Sequence, residues 1–420
     1  MASFGIPLSG LIASQAQLQS VSNNLANIDT VGYKDTTLQF SDVYAQSSIL
    51  NGADNPVQTG LGVSTAETSR DFSNGVTSET DVASNMALSG NGFFVLQSTG
   101  GTQSYTRAGD FTSNSSGELV TADGQYVMGY PAVDGVVDTS APLQTLQVGL
   151  GSITPATATT SMNITANLNS SAAADTTSSF STDLAVYDSL GTSHELNVNY
   201  TKTGTNSWSY SVTIPTADLS PTTPATTSTT TTVANGTFTF DSSGTLTSPT
   251  GDIPISIPSL ADGAASLNVK WNLDGSTGTP TITQTATAST TSAKTQNGQQ
   301  SGTLLSYSVA SDGTIEGAYS NSQTVAIGQV AIANFSNTQG LLAVGNNNYQ
   351  ATTGSGAALV GTANTGGRGT IKGGYVESSN VDTAAEFAKM IVAQQAYQAN
   401  AKTVTTLDNI SQSTIQMITG

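Results

Sequence analysis

Residues 377–420 read ESSNVDTAAEFAKMIVAQQAYQANAKTVTTLDNISQSTIQMITG, a stretch without proline whose only glycine is the last residue. Apolar side chains recur in it at steps of three and four, which places them along one stripe of a helix. Thr383 and Glu386 have the spacing of a capping box, so we predict a helix over 383–417. Such a helix would be roughly 50 Å long, too long to bury its stripe against one small domain. The stretch therefore predicts a second helix as its partner.

The opposite end of the chain provides a candidate partner. Residues 8–28 carry apolar side chains at heptad spacing, and residues 1–28 contain no charged side chain. Amides and hydroxyls cost far less to bury than charges, so this helix can be covered on several sides. We predict that the terminal helices pair with each other and then with further copies of the chain. The alternative is a stripe that only forms the core of an intramolecular helix pair.

The residues expected at a self-assembly interface are the apolar members of the two stripes. They are Leu11, Leu18, Val21, Leu25, Ile28, Phe387, Met390, Tyr397, Val404, Leu407 and Met417. The N-terminal stripe does not resemble a signal peptide, because it has neither a basic n-region nor a continuous apolar h-region. Its Gln and Asn residues also interrupt any run long enough to cross a bilayer.

Composition narrows the classes of function. Only 9% of the 420 residues are charged, against roughly 25% in typical soluble proteins, which suits either a surface covered by other subunits or a secreted β-rich protein. The net charge of −18 argues against nucleic acid, since no basic surface is available for phosphates. The chain has no cysteine, which excludes disulfides and thiolate chemistry.

The residues between the two ends have β character. Residues 92–130 read as a meander of short apolar strands separated by Gly, Asn and Asp turns. In 196–200, 208–214 and 267–273 apolar and polar side chains alternate, which indicates an antiparallel β domain with one buried face per sheet.

The predicted fold class is multidomain α+β, with the parts nested inside one another. From the ends inward, they are a coiled-coil-like pair of terminal helices (1–30 and 380–420), an extended connector (31–85 and 358–379), an antiparallel β-rich core domain (86–145 and 304–357) and an inserted, outer antiparallel β domain (146–303).

Several motifs together resemble a known family. They are 23–34 (NNLANIDTVGYK), 92–96 (GFFVL), 105–111 (YTRAGDF), 117–120 (GELV), 377–382 (ESSNVD) and 390–400 (MIVAQQAYQAN). In this order, at the two ends and around an insertion, they resemble the bacterial flagellar rod and hook proteins. The segments 186–194 (VYDSLGTSH) and 328–335 (GQVAIANF) are similar to the hook members of that family.

The resemblance implies a structural subunit without catalysis or cofactor. Many copies would form a tube that acts as a flexible coupling between the motor rod and the filament and transmits torque. It implies export by the flagellar type III apparatus, an extracellular position at the hook, and terminal helices that line the central channel and stay disordered until assembly. Implied partners besides further copies are the distal rod protein, the hook cap, the hook–filament junction proteins and the hook-length control protein.

Two other functions remain open from the sequence. One is a distal rod or other flagellar axial protein, although the large inserted β domain argues against it. The other is a secreted β-rich adhesin or carbohydrate-active protein, which would keep its activity as a monomer without its two ends.

Candidate chemical sites are few. His194 is the only histidine and is expected at a surface or strand edge, and a zinc site with one histidine and no cysteine is not expected. Asp123, Asp134 and Asp138 could bind Ca²⁺ between loops, the alternative being solvated turn residues.

Overall fold

The structure is a computed structural model that describes residues 4–45, 59–175, 178–220, 228–275 and 278–419. It separates into two compact units. Unit 1 consists of Met1–Leu150, Ser306–Ala318 and Thr324–Gly420. Unit 2 consists of Gly151–Leu305 and Tyr319–Gln323.

The described residues form two α-helices, α1 (Gly5–Ala26) and α2 (Thr383–Thr419), at the two ends where the sequence predicts them. No helix in the described part of the chain combines the length and the apolar character needed to cross a membrane.

The strands before the predicted insertion are β1 (Thr36–Ala45), β2 (Thr59–Arg70), β3 (Thr77–Glu79), β4 (Met86–Ser89), β5 (Phe93–Gln97), β6 (Gln103–Thr106), β7 (Thr112–Ser113), β8 (Leu119–Val120), β9 (Tyr126–Val133), β10 (Val136–Val137) and β11 (Gln144–Thr145). Those within it are β12 (Ile153–Thr154), β13 (Ser161–Asn169), β14 (Ser179–Tyr187), β15 (Ser193–Gly204), β16 (Ser207–Pro215), β17 (Thr230–Phe240), β18 (Leu246–Ser248), β19 (Ile253–Ile257), β20 (Leu267–Asn272), β21 (Ile282–Thr285) and β22 (Thr290–Gln296). The last are β23 (Gly302–Val309), β24 (Thr314–Tyr319), β25 (Thr324–Asn334), β26 (Leu342–Gly345), β27 (Asn348–Gln350), β28 (Leu359–Thr362), β29 (Thr370–Gly373) and β30 (Tyr375–Glu377). Short 3-10 helices lie at Thr216–Asp218 and Thr338–Gly340.

The start of α2 agrees with the prediction, but its cap differs. The carboxylate of Asp382 accepts hydrogen bonds from the backbone N–H groups of Ala384 (2.8 Å) and Ala385 (3.1 Å). Asp382 is therefore the N-cap, and the capping box of Thr383 and Glu386 is wrong. The Glu386 side chain is buried and reaches α1 instead.

The main sheet of unit 1 is covered on both faces. Its strands follow the order β24, β25, β9, β5, β6, β27 and β26. Along β5, Phe93 and Val95 belong to one apolar cluster, and Phe94 and Leu96 to the other. Because both faces are buried, the strand reads as an uninterrupted apolar run. The pairing of Phe94 with Ile332 joins the two flanks of the inserted segment in this sheet.

The segment predicted as an extended connector, 31–85 with 358–379, contains several paired strands. The strands β1 and β2 form a long antiparallel ribbon, while β29 pairs with β4 and β30 with β3. The sequence did not predict these pairings. In β1 the apolar residues Leu38, Phe40 and Val43 do not keep a strict period of two, so the strand lacks a clear alternating pattern.

Unit 2 has two sheets around one apolar core. One follows the order β14, β15, β16, β17 and β18, and the other contains β19, β20, β13 and β21, with β22 also paired to β13. The alternating side chains singled out in the sequence, among them Tyr200, Trp208, Val212 and Trp271, are buried there. The expectation of purely antiparallel pairing is wrong, because β13 pairs in parallel with β20 and β21. Alternation reports which face of a strand is buried and not the direction of its neighbour.

Candidate assembly surface

The two terminal helices lie side by side and run antiparallel. Near one end of the contact, the Asn24 amide donates to the Glu386 carboxylate at 3.1 Å. Near the other, a Cβ added to Gly10 would lie 2.8 Å from the amide nitrogen of Asn400. Fourteen residues therefore separate the paired positions on each helix. At about 1.5 Å per residue, α2 continues roughly 20 Å beyond the start of α1.

The less exposed residues of α2 mark the face that turns toward α1. They recur at steps of three and four, as in a helix that packs against another helix. They are Glu386, Met390, Ala393, Ala396, Asn400, Val404, Leu407 and Ser411, with Lys389 and Ala401 beside them. Ala393 is fully buried, and Gly10 lets the Asn400 side chain approach the α1 backbone closely. Small residues on both helices thus bring their axes together.

A second partner covers another side of α1. The Ser9 hydroxyl accepts a hydrogen bond from the backbone N–H of Val63 in β2 (3.2 Å), and the Ser20 hydroxyl donates to the carbonyl of Thr36 in β1 (2.8 Å). The β1–β2 ribbon therefore packs on α1 through hydroxyl and backbone groups. Serine hydroxyls of α1 thus take part in its contact with the ribbon.

The predicted interface residues fall into two groups. Those held within unit 1 are Val21, which is buried, and Leu11, Leu18, Leu25, Ile28, Met390, Val404 and Leu407, which are half-buried. Those on the surface are Phe387, Tyr397 and Met417, with exposures of 52%, 38% and 78%. Ile28 lies in the turn after α1 and not in the helix as predicted.

Sequence reasoning missed an exposed apolar row on α1. Phe4, Leu8 and Ile12 are spaced by four residues and have exposures of 39%, 50% and 57%. On α2, Ile391 and Val392 are exposed at 55% and 61%, close to Phe387. The spacing of this row by four residues was visible in the sequence. Only the structure shows that other residues of α1, such as Ser9 and Asn24, contact the ribbon and α2 and that this row stays exposed. We call the row Phe4, Leu8 and Ile12 the outer row.

A buried ionic cluster lies beside the helices. The Lys34 ammonium is 2.6 Å from the Glu377 carboxylate and 2.6 Å from the Ser73 carbonyl oxygen, and Arg107 approaches Glu377 at 3.6 Å. The Lys34 and Glu377 side chains are fully buried. Burial lowers the pKa of Lys34, while the neighbouring Glu377 carboxylate opposes that effect. The cluster fastens the chain leaving α1 to the chain entering α2.

A second polar cluster lies at the base of the two helices. Asp35 accepts a hydrogen bond from the Asn24 amide and lies 3.8 Å from the Lys389 ammonium, and its backbone N–H donates to the Asn380 side chain at 2.7 Å. Lys389 also contacts Glu386 at 2.5 Å. Burial raises the pKa of Asp35, and Lys389 counteracts this only in part. These polar groups fix the register of α1 against α2.

His194 is not a surface residue, which corrects the prediction for it. It is 4% exposed, and its ring nitrogens lie 3.1 Å from Asp188 and 3.2 Å from Asp218. Burial lowers the pKa of His194, but the two carboxylates outweigh that effect and raise it. Its position at the start of β15 did not indicate this, because Asp218 comes from a 3-10 helix 24 residues later in the chain.

The three aspartates considered for Ca²⁺ do not form a site in the described residues. Asp123 accepts a hydrogen bond from Asn348 at 2.9 Å, and Asp138 accepts one from the backbone N–H of Ser140 at 2.9 Å. Asp134 occupies a tight turn with a φ of +51°. Turn chemistry accounts for all three.

Comparison with known proteins decides the family. The chain is 36% identical to the flagellar hook protein FlgE of Escherichia coli over 97% of this chain and 98% of that one. It is 32% identical to the hook protein FlgE of Borreliella burgdorferi over 98% of each chain. The chain belongs to the flagellar hook protein FlgE family.

Four domain families match successive parts of this FlgE-family chain, from its first helix to its last. Residues 7–34 match the flagella basal body rod protein family, and residues 87–167 the flagellar hook protein FlgE/F/G D1 domain. Residues 157–299 match the flagellar basal body protein FlaE D2 domain, and residues 372–417 the flagellar basal body rod FlgEFG protein C-terminal domain.

A solved relative supports the fold. The crystal structure of Helicobacter pylori flagellar hook protein FlgE2 is similar with a TM-score of 0.55 and 16% identity, over 72% of this chain and 100% of that one.

Proposed function

We propose that this protein is the structural subunit of a bacterial flagellar hook. Many copies would assemble into a tube that joins the motor rod to the filament and transmits torque while it bends. The observation that carries the proposal is the outer row on the uncharged helix α1, in which two of the three apolar side chains are at least half exposed. This row lies in a chain of the hook protein family. Exposed apolar strips of this kind mark protein–protein contacts.

The finer arrangement belongs to the same proposal. The terminal parts, 1–30 and 380–420, would form a coiled-coil-like inner tube, and 146–303 the outer domain. The coiled-coil assignment is supported by covered α2 residues that recur at steps of three and four, with Glu386, Ala393, Asn400 and Leu407 spaced by seven. Because α2 extends roughly 20 Å beyond the start of α1, its distal turns would pack against another subunit. Folding of the ends would then be coupled to assembly.

The interface would use both groups of predicted residues in different ways. The half-buried group, such as Leu18 and Val404, would hold α1 to α2 within a subunit. The exposed residues Phe387, Tyr397 and Met417, together with the outer row, would contact neighbouring subunits. Outer domains would slide over one another through polar contacts, since a dry apolar interface would lock them.

The location and remaining partners are proposed on the family relationship alone. The protein would leave the cell through the flagellar type III apparatus and reside in the extracellular hook. It would meet the distal rod protein, the hook cap, the hook–filament junction proteins and the hook-length control protein. Its role would be mechanical and not catalytic.

The test is deletion of residues 1–30 and 380–420, followed by electron microscopy of assembly mixtures. The full chain is expected to form tubes, and the truncated chain none. Tubes from the truncated chain would contradict the proposal. Retained binding or hydrolysis of a glycan by a truncated monomer would favour the secreted β-rich adhesin or carbohydrate-active protein.

A further inference from the structure

One end of unit 2 brings a histidine and three carboxylates together. Asp188 follows β14, His194 begins β15, Asp218 lies in the 3-10 helix after β16, and Asp262 lies between β19 and β20. Ligand atoms of Asp188, His194 and Asp262 all lie within 4.8 Å of one another. We propose that these three side chains bind a divalent transition-metal ion of the zinc class.

The Asp188 carboxylate is oriented for this role by the backbone. Its Oδ1 accepts hydrogen bonds from the N–H groups of Leu190 (2.8 Å) and Thr192 (2.9 Å). The other oxygen, Oδ2, points to His194 Nε2 at 3.1 Å. One oxygen is thus fixed by the turn, and the second faces His194, where a metal ion would take the place of the present His194–Asp188 contact.

The imidazole is held from its far side. His194 Nδ1 lies 3.2 Å from Oδ2 of Asp218. In protein metal sites the ligating histidine usually donates its other ring N–H to a carboxylate, which fixes the tautomer and leaves a lone pair for the metal. Asp218 occupies that supporting position, and it would act as a positioning residue and not as a ligand.

Charge balance favours a cation at this place. Three carboxyl groups meet a single imidazole here, so acceptor oxygens outnumber the donors that face them. With Nδ1–H donated to Asp218, the lone pair of Nε2 and the oxygen of Asp188 are both acceptors. A cation or a proton must therefore lie between them. A divalent ion contacts both and neutralises more of the excess charge.

The donor set selects the class of ion. One imidazole nitrogen and two carboxylate oxygens suit Zn²⁺ and its neighbours, whereas Mg²⁺ and Ca²⁺ prefer oxygen alone. Asp262 is the exposed member of the group, and the backbone N–H of Ala264 binds one of its oxygens at 3.0 Å. The site would be open to solvent on that side, which leaves a coordination position for water.

The bound ion would link two segments that already meet. The backbone N–H of Ala265, after β19, donates to the Ser189 hydroxyl in the turn between β14 and β15 at 3.1 Å, and that of Ala261 donates to the Asp218 carbonyl at 2.9 Å. A metal bound to Asp188, His194 and Asp262 would join the β14–β15 turn directly to the segment between β19 and β20. The consequence is a unit 2 whose stability depends on the ion.

The experiment uses the full chain as a monomer, freed of metal by a chelator and titrated with Zn²⁺ or Co²⁺. We expect one ion per chain, a visible Co²⁺ absorption band and an upward shift of the melting temperature. Asp262→Asn should remove these effects without unfolding the protein, because its side chain is exposed. His194→Gln should do the same, and Asp218→Asn should weaken binding about 10- to 100-fold.

The matched control is Asp183→Asn, which removes an exposed carboxylate of the same unit that pairs with Lys294 at 3.4 Å. It should bind the ion as the unaltered chain does. Equal binding by the Asp262→Asn and Asp183→Asn variants would overturn the proposal. So would the absence of stoichiometric binding, which would leave His194 as a protonated partner of its carboxylates.

Discussion

The Glu377 carboxylate lies 2.6 Å from the ammonium of Lys34, a residue 343 positions earlier in the chain. Both side chains are fully buried, and Glu377 also accepts a hydrogen bond from the backbone N–H of Gly75 at 2.8 Å. The pair therefore joins the segment that follows α1, the segment that follows β2 and the segment that precedes α2. Within unit 1, the terminal helices are joined to the β-strands at this point.

Replacing Glu377→Gln should destabilise unit 1 by about 3–5 kcal/mol, because it leaves the buried cations Lys34 and Arg107 without their counter-charge. Urea unfolding of the full-length monomer measures the change. The matched control is Lys294→Gln, which breaks an exposed pair and should cost about 1 kcal/mol or less. Equal losses of stability in the two variants would show that the buried cluster contributes no more than an exposed ion pair.

The α2 cap can be tested by one pair of substitutions. Asp382→Ala removes the acceptor for two backbone N–H groups and should cost about 0.5–2 kcal/mol, with faster amide exchange in the first turn of α2. Thr383→Ala should have little effect, since Asp382 supplies the cap. The reverse order of effects would reinstate the capping box that the sequence suggested.

Gly32 is required by a close approach as well as by its backbone conformation. It has a φ of +68°, and an added Cβ would lie 2.5 Å from the backbone nitrogen of Ala108. Gly32→Ala should therefore destabilise the turn after α1 more than Gly124→Ala. Gly124 has a similar φ of +78° but open space around it, so that change should cost about 1–2 kcal/mol. Thermal unfolding of both variants measures the difference.

The outer row should matter for assembly and not for the monomer. The double change Leu8→Gln and Ile12→Gln removes apolar side chains that are 50% and 57% exposed in the subunit. We expect the concentration needed for polymerisation to rise about tenfold or more, while monomer unfolding stays nearly unchanged. Gln15→Ser and Gln19→Ser, on the exposed side of α1, provide the control. Normal polymerisation of the double variant would place the subunit contact elsewhere.

Asp35 should give the helix base a recognisable pH dependence. Its pKa is raised by burial and by Glu386 and Asp71, against the attraction of Lys389. The folded state therefore binds the Asp35 proton more tightly than the unfolded state. When the pH falls through the raised folded pKa, Asp35 is protonated and the cost of its buried charge is relieved. The resulting gain in the free energy of unfolding is complete below the pKa of the unfolded state, about 3.9.

The isosteric change Asp35→Asn removes this titration. At pH 7 the variant should have a higher free energy of unfolding than the unaltered chain. This difference should shrink at pH values below the unfolded pKa, where Asp35 of the unaltered chain is protonated in both states. The free energy of unfolding measured by urea across this range gives the difference. A difference that stays constant with pH would mean that Asp35 has the same pKa in both states.

The sequence by itself determined the elements whose pattern is local. The helices at both ends, the apolar run of β5 and the alternating strands of unit 2 follow from side chains that must face a core. These features depend on residues only a few positions apart, where spacing fixes the face of a helix or strand. The family motifs are likewise short stretches of sequence, and their order pointed to a pairing of the two chain ends.

Only the tertiary structure decided which neighbour covers each face. It placed Met390 against α1 and left Phe387 exposed, although both belong to the predicted stripe. It also buried His194 between two aspartates and paired Lys34 with Glu377. A polar side chain becomes buried when distant segments bring it a partner of opposite charge, and no local pattern in the chain records that meeting.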